Sequence, residues 1–160
     1  MSGNIAIGIQ DFSTIIQGNY FYIDKTPFIK EWWDCGDSAT LITRPRRFGK
    51  TLTMSMVEQF FSIDYAGRSD LFEHLAIWKE EKYRELQGTY PVISLSFARI
   101  KERDYEKTKQ KMCEVLRNIY IKFCYIKDSE KLTDADRAYY ERMLEENIKE
   151  TDATSSLYQL

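Results

Sequence analysis

The chain has 160 residues, 43% hydrophobic and 30% charged, which suits one folded domain with a sizeable core and excludes a disordered chain. Its net charge of −2 provides no global field toward nucleic acid or an anionic membrane, so any anion site must be local. No apolar run approaches the roughly 18 residues of a membrane span, residues 1–10 show no signal-peptide pattern, and Cys35, Cys113 and Cys124 form no C-x-x-C pair, so reduced, mostly buried thiols in a cytoplasmic protein are expected.

In chain order, residues 19–23 (NYFYI) form a β-prone aromatic run. Thr26 then suits an N-cap and Pro27 a first helical position. Phe28, Ile29, Trp32 and Trp33 recur at helical spacing, and Gly36 can end that helix with positive φ. The aromatic stripe reads as core packing rather than a base-stacking platform. Residues 38–43 (SATLIT) form a short apolar strand signal. Residues 51–61 then read as a helix burying Leu52, Met56, Val57 and Phe60. A polar stretch with an apolar patch at DLFEHLAIW follows. Residues 90–98 (YPVISLSFA) predict another strand, with Pro91 near its start, where a missing N–H is tolerated.

Residues 105–127 predict a long helix, with Met112, Leu116, Ile119, Phe123 and Ile126 on one face. Thr133 and Asp136 have capping-box spacing, opening a helix that should run to about Lys149 and bury Tyr139, Met143, Leu144 and Ile148. Thr154 or Ser155 should open a last helix. No repeat or linker marks a domain boundary. Strands alternating with helices imply an α/β fold, a P-loop NTPase-like parallel sheet with flanking helices.

The chemistry concentrates in TRPRRFGKT, residues 43–51. A bare G-K-[ST] is a weak signal, but here an apolar run precedes it and a helix follows, as a phosphate-binding loop requires. Such a helix aims its free first-turn N–H groups at the loop. Lys50 would reach the β- and γ-phosphates of ATP, the Thr51 hydroxyl would hold Mg²⁺, and Gly49 would let backbone come close. Arg44 stands where the motif wants its opening glycine, and Pro45 biases Arg44 toward an extended conformation. Arg44, Arg46, Arg47 and Lys50 put four cations within seven residues, a cluster that repels itself unless an anion sits there. The loop from Arg44 through Pro45, Arg46, Arg47, Phe48, Gly49 and Lys50 to Thr51 is therefore the expected nucleotide site.

Together, GIQDFSTIIQGNYFYIDKTPFIKEW, LITRPRRFGKTLTMSMVEQFF, LFEHLAIWKEEKYRELQGTYPVISLSFARIK and SSLYQL resemble the N-terminal part of the AAA-ATPase-like family of bacterial and archaeal proteins. The resemblance extends from about Gly8 to Leu160. It implies that R-P-R-R-F-G-K-[ST] replaces the ordinary Walker A motif, so Arg44 is a family feature. It also implies an apolar strand ending in Asp-Glu beyond Leu160, and commonly a C-terminal domain similar to PD-(D/E)XK nucleases, through which nucleic acid would be a partner. Residues 1–160 are accordingly expected to be the N-terminal part of one P-loop domain, from a fragment or a truncated gene product, with no second domain.

Hydrolysis needs an acid at the end of an apolar strand to hold Mg²⁺. Asp24 and Asp64 end apolar runs, yet Asp24 precedes the loop and Asp64 follows the far end of its helix, so both read as capping or turn residues. The expected activity is ATP binding without turnover, in part of an ATPase by resemblance. By fold-level analogy the base lies near residues 22–25, with Tyr22 beside it. Two alternatives remain. One is a module that grips nucleic-acid backbone through the basic loop; the other is a P-loop small-molecule kinase, for which no acceptor pocket or lid can be identified. His74, the only histidine, has no nucleophile motif or cysteine pair nearby, so neither a zinc site nor a histidine triad is expected.

Overall fold

The computed structural model describes residues 4–146 and 148–160. Residues 1–3, part of the segment read as free of a signal peptide, and Asn147, within the stretch expected to continue a helix, lie outside the described residues. The chain divides into two compact units, with the boundary between Val92 and Ile93, inside a run expected to be a strand.

The N-terminal unit carries α1 (Phe12–Gln17), α2 (Pro27–Cys35), α3 (Lys50–Phe61) and the short α4 (Glu81–Arg84), with single 3₁₀ turns at Ile63–Tyr65, Ser69–Leu71 and Ala76–Lys79. Asp11 opens α1 by accepting the Thr14 N–H at 2.8 Å. Pro27 stands at the first turn of α2, and Gly36, at φ 66°, ends it as expected. Thr26 occupies the N-cap position of α2 without capping it, because its hydroxyl is engaged elsewhere. Phe12, Ile29, Met56, Phe60 and Phe72 are fully buried, each contributing roughly 1.5–3 kcal/mol of transfer free energy. Phe28, Trp32, Trp33, Leu52 and Val57 pack around this cluster, so the expected faces of α2 and α3 are both met.

Two side chains lock α1 onto α3. Ser55 Oγ accepts the Phe12 N–H at 3.0 Å, and Gln59 Nε2 donates to Asp11 Oδ1 at 2.6 Å. Burial pushes the Asp11 carboxyl up, but hydrogen bonds from Ser13, Thr14 and Gln59 together hold it below the usual carboxylate value.

The C-terminal unit has α5 (Tyr105–Lys122), a 3₁₀ turn at Cys124–Asp128, α6 (Asp134–Leu144) and α7 (Glu150–Gln159). Its core is Leu116, Tyr120, Tyr140 and Met143. The Tyr140 hydroxyl donates to Tyr120 O at 2.6 Å, and the Tyr120 hydroxyl donates to Ser156 O at 2.7 Å. The capping box of Thr133 and Asp136 forms in both directions. α6 stops at Leu144, short of Lys149, because Glu145 turns extended (ψ 154°). Arg117 Nε then satisfies the Leu144 carbonyl at 2.8 Å. Tyr140 rather than Tyr139 takes the buried position, and α7 begins before Thr154.

The expected parallel sheet is not formed: no strand occurs among the described residues, so the architecture is helical. Residues 19–23 do alternate, with Tyr22 inward and Phe21 and Ile23 60% and 67% exposed, but among the described residues no strand pairs with them. In the run 38–43, Leu41 is 85% exposed. Among the described residues, a β-type contact forms only between Tyr90 and Ser62, as an isolated parallel bridge. β-propensity stabilises a strand only when cross-strand neighbours cover it. Cys35 and Cys124 are exposed rather than buried, and all three cysteines are free.

Candidate functional site

The basic loop sits at the N-terminus of α3. Gly49 is the N-cap of that helix at φ 77°, a left-handed conformation that glycine adopts without steric cost. Arg47 is also left-handed, at φ 71°, which is uncommon for a residue with a Cβ. These two positions flank Phe48, whose ring is 63% exposed. No side chain caps α3, so its first-turn N–H groups face the loop without a capping acceptor. The Gly49 carbonyl accepts from the Thr53 N–H at 2.8 Å and from Thr53 Oγ1 at 3.0 Å, which fixes the loop-to-helix junction.

Lys50 turns back across the loop, and its Nζ donates to the Arg44 carbonyl at 2.7 Å. Arg44 thus contributes a backbone oxygen, while its side chain is exposed together with those of Arg46 and Arg47. Thr51 is exposed at the start of the helix, and Pro45 lies exposed between the arginines. Upstream, Trp32 Nε1 donates to Thr40 Oγ1 at 3.0 Å and ties α2 to the segment entering the loop.

A fifth cation reaches the loop from outside it. Lys25 Nζ donates to the Phe48 carbonyl at 3.2 Å. A Cβ placed on Gly49 would lie 2.8 Å from that ammonium. Sequence reasoning placed residues 22–25 near the base but gave Lys25 no role at the phosphates; the signal available was its position in the D-K-T block, beside an acid that turns out to be a brace.

That acid is Asp24, considered above as a metal carboxylate. Its Oδ1 accepts from the Thr26 N–H at 2.8 Å and the Thr26 hydroxyl at 2.7 Å, and its Oδ2 accepts from the Ala76 N–H at 2.7 Å. Both oxygens therefore serve the fold. Asp64 follows α3 within a 3₁₀ turn, where its N–H donates to Ser62 Oγ at 3.2 Å. Tyr22 is half-buried against the core. Its hydroxyl donates to Met56 Sδ at 3.2 Å and accepts from the Lys25 N–H at 3.3 Å, and burial pushes the phenol up to about 12.

Among the described residues no group of three His, Cys, Asp or Glu side chains could hold a metal. The donor set at the loop instead suits a polyanion: two ammoniums on neutral carbonyls, three exposed guanidiniums and uncapped helix N–H groups. No helix among the described residues is long and apolar enough to cross a membrane.

Residues 6–157 match the family described as AAA-ATPase_like, Predicted AAA-ATPase. The chain is also 33% identical over 113 residues to a protein of Azotobacter chroococcum mcd 1 described as "Uncharacterized protein in vnfD 5'region", a match covering 70% of this chain and 20% of the relative. The matched part thus spans about a fifth of that relative's length. No solved structure matches the chain.

Proposed function

Because the chain belongs to this AAA-ATPase-like family, we propose that it binds a nucleoside triphosphate, ATP in the family's sense, at the loop from Arg44 to Thr51. One observation carries the reading: the left-handed Gly49 opens an uncapped α3 directly beneath a cluster of cations. The first-turn N–H groups bind phosphate oxygens, and Lys50 exchanges the Arg44 carbonyl for a phosphate. Arg44, Arg46 and Arg47 offset the remaining charge, and Pro45 stiffens the corner. Mg²⁺, when bound, would be held by the Thr51 hydroxyl with phosphate oxygens and would neutralise charge on the triphosphate. The free cysteines fit a reducing, cytoplasmic setting.

Calorimetry with Mg-ATP tests this. The chain should bind, and Lys50→Ala should abolish binding with an unchanged circular dichroism spectrum, since Lys50 is exposed. Equal affinity in the variant would overturn the reading. The exposed Phe48 between arginines favours a second reading, single-stranded nucleic acid held by stacking and backbone charge. Strand binding that falls steeply with salt, without competition from Mg-ATP, would select it.

A further inference from the structure

We propose that Lys25 is a phosphate-contacting residue of this site, a second lysine that reaches the triphosphate from outside the loop; the inference rests on the nucleotide reading above.

Three independent features support it. The first is the scaffold. The Lys25 N–H donates to the Tyr22 hydroxyl, which in turn donates to Met56 of α3. The Lys25 carbonyl accepts from the Phe28 N–H at 3.0 Å. On one side Asp24 is clamped to Thr26 and Ala76. The backbone that carries Lys25 is therefore referenced to the same helix that presents the loop. A surface lysine without such bracing would lose more backbone freedom in reaching the same point.

The second feature is the approach. The Lys25 ammonium occupies space that any side chain at position 49 would fill, at 2.8 Å from an ideal Cβ there. Glycine at this corner thus does two things: it takes the left-handed turn, and it leaves room for a cation over the helix N-terminus.

The third feature is charge. Arg44, Arg46, Arg47 and Lys50 already crowd the loop, and none of these four or Lys25 forms an ion pair with an acid among the described residues. Adding a fifth cation from a distant segment raises the repulsion further. A triphosphate reverses the sign of that interaction. Lys25 and Lys50 each rest on a neutral carbonyl, of Phe48 and Arg44, and both contacts are exchangeable for phosphate oxygens.

The competing role is a staple, in which Lys25 only fixes the loop through the Phe48 carbonyl. Lys25→Ala, Lys25→Gln and Lys25→Arg separate the two, because Gln keeps a donor without the charge. Affinities of the full 160-residue chain for Mg-ATP, Mg-ADP and AMP would be measured by calorimetry at two salt concentrations, beside Lys50→Ala. Phosphate contact predicts that Ala and Gln each weaken Mg-ATP by about tenfold or more, Mg-ADP less and AMP little, with a shallower salt dependence, while Arg stays within about threefold. Equal losses for all three nucleotides, or full retention by Gln, would reduce Lys25 to a staple and overturn the inference. Unchanged ATP affinity in Lys25→Ala with binding lost in Lys50→Ala would overturn it and leave the nucleotide reading standing. No nucleotide binding by the parent chain would remove both.

Discussion

The Asp24 carboxylate accepts the Ala76 N–H at 2.7 Å, joining positions 52 residues apart, while its other oxygen holds the Thr26 N–H and hydroxyl. The Thr26 hydroxyl accepts the Ile77 N–H at 3.1 Å, and Thr26 is fully buried. The pair is a polar brace between the start of α2 and the turn at Ala76–Lys79. Asp24→Ala leaves three donors without their acceptor, and should destabilise the chain by about 3 kcal/mol in urea denaturation. Asp24→Asn, which keeps one acceptor, should fall between. A metal-binding role predicts the opposite pattern: lost Mg-ATP affinity at an unchanged urea midpoint.

The lock between α1 and α3 should be acid-sensitive. The folded Asp11 carboxyl lies below its unfolded value, so its contribution to stability is present above the unfolded pKa of about 3.9 and is lost as pH falls through the folded value. Asp34, Asp70 and Asp136 shift in the same direction, so the parent alone cannot report on Asp11. Asp11→Asn keeps an oxygen for the Thr14 N–H and cannot titrate. Its urea midpoint should fall less steeply than the parent's below about pH 4. Parallel acid limbs would show that Asp11 is not among the groups that titrate on unfolding.

What was legible in the sequence was local. α3 follows from Leu52, Met56 and Phe60 at helical spacing, the end of α2 from Gly36, and the start of α6 from Thr133 with Asp136, because propensity, periodicity and capping act within one or two turns. The sheet was misread because pairing is not local. Phe21, Tyr22 and Ile23 do alternate, but alternation states only which faces differ, not whether a second strand lies alongside. The position of the loop at the start of α3 was legible through Gly49, Lys50 and Thr51. Lys25 was not, because it approaches through the contact of Tyr22 with Met56, 34 residues away, and no spacing rule encodes that distance.

Arg44 presents its carbonyl to Lys50 and its guanidinium to solvent. Arg44→Gly keeps the carbonyl but removes the charge, and it frees the backbone at a corner where Pro45 already limits the direction. The freed backbone should cost roughly 0.5–1 kcal/mol on ordering the loop. Mg-ATP affinity should therefore fall, and fall more at low salt than at high salt. Affinity equal to or tighter than the parent at both would make the side chain a passenger and leave phosphate binding to Gly49, Lys50 and the helix N-terminus.

Gly49→Ala should combine two effects that a double-mutant cycle separates. The left-handed φ of 77° costs an alanine about 1–2 kcal/mol whatever surrounds it. The new Cβ also displaces the Lys25 ammonium from its place at 2.8 Å, a movement that is cheap for the fold because only the end of a flexible chain must shift. Urea denaturation should thus show about the same loss, 1–2 kcal/mol, with Lys25 or with Lys25→Ala. Mg-ATP affinity should behave differently. With Lys25 present, Gly49→Ala removes that lysine's reach as well as straining the turn; with Lys25→Ala, that reach is already gone, so the further drop should be smaller. Coupling in affinity without coupling in stability would mean that glycine at this corner keeps a cation's path to the phosphates open. Equal drops in both backgrounds would mean that the turn alone requires it.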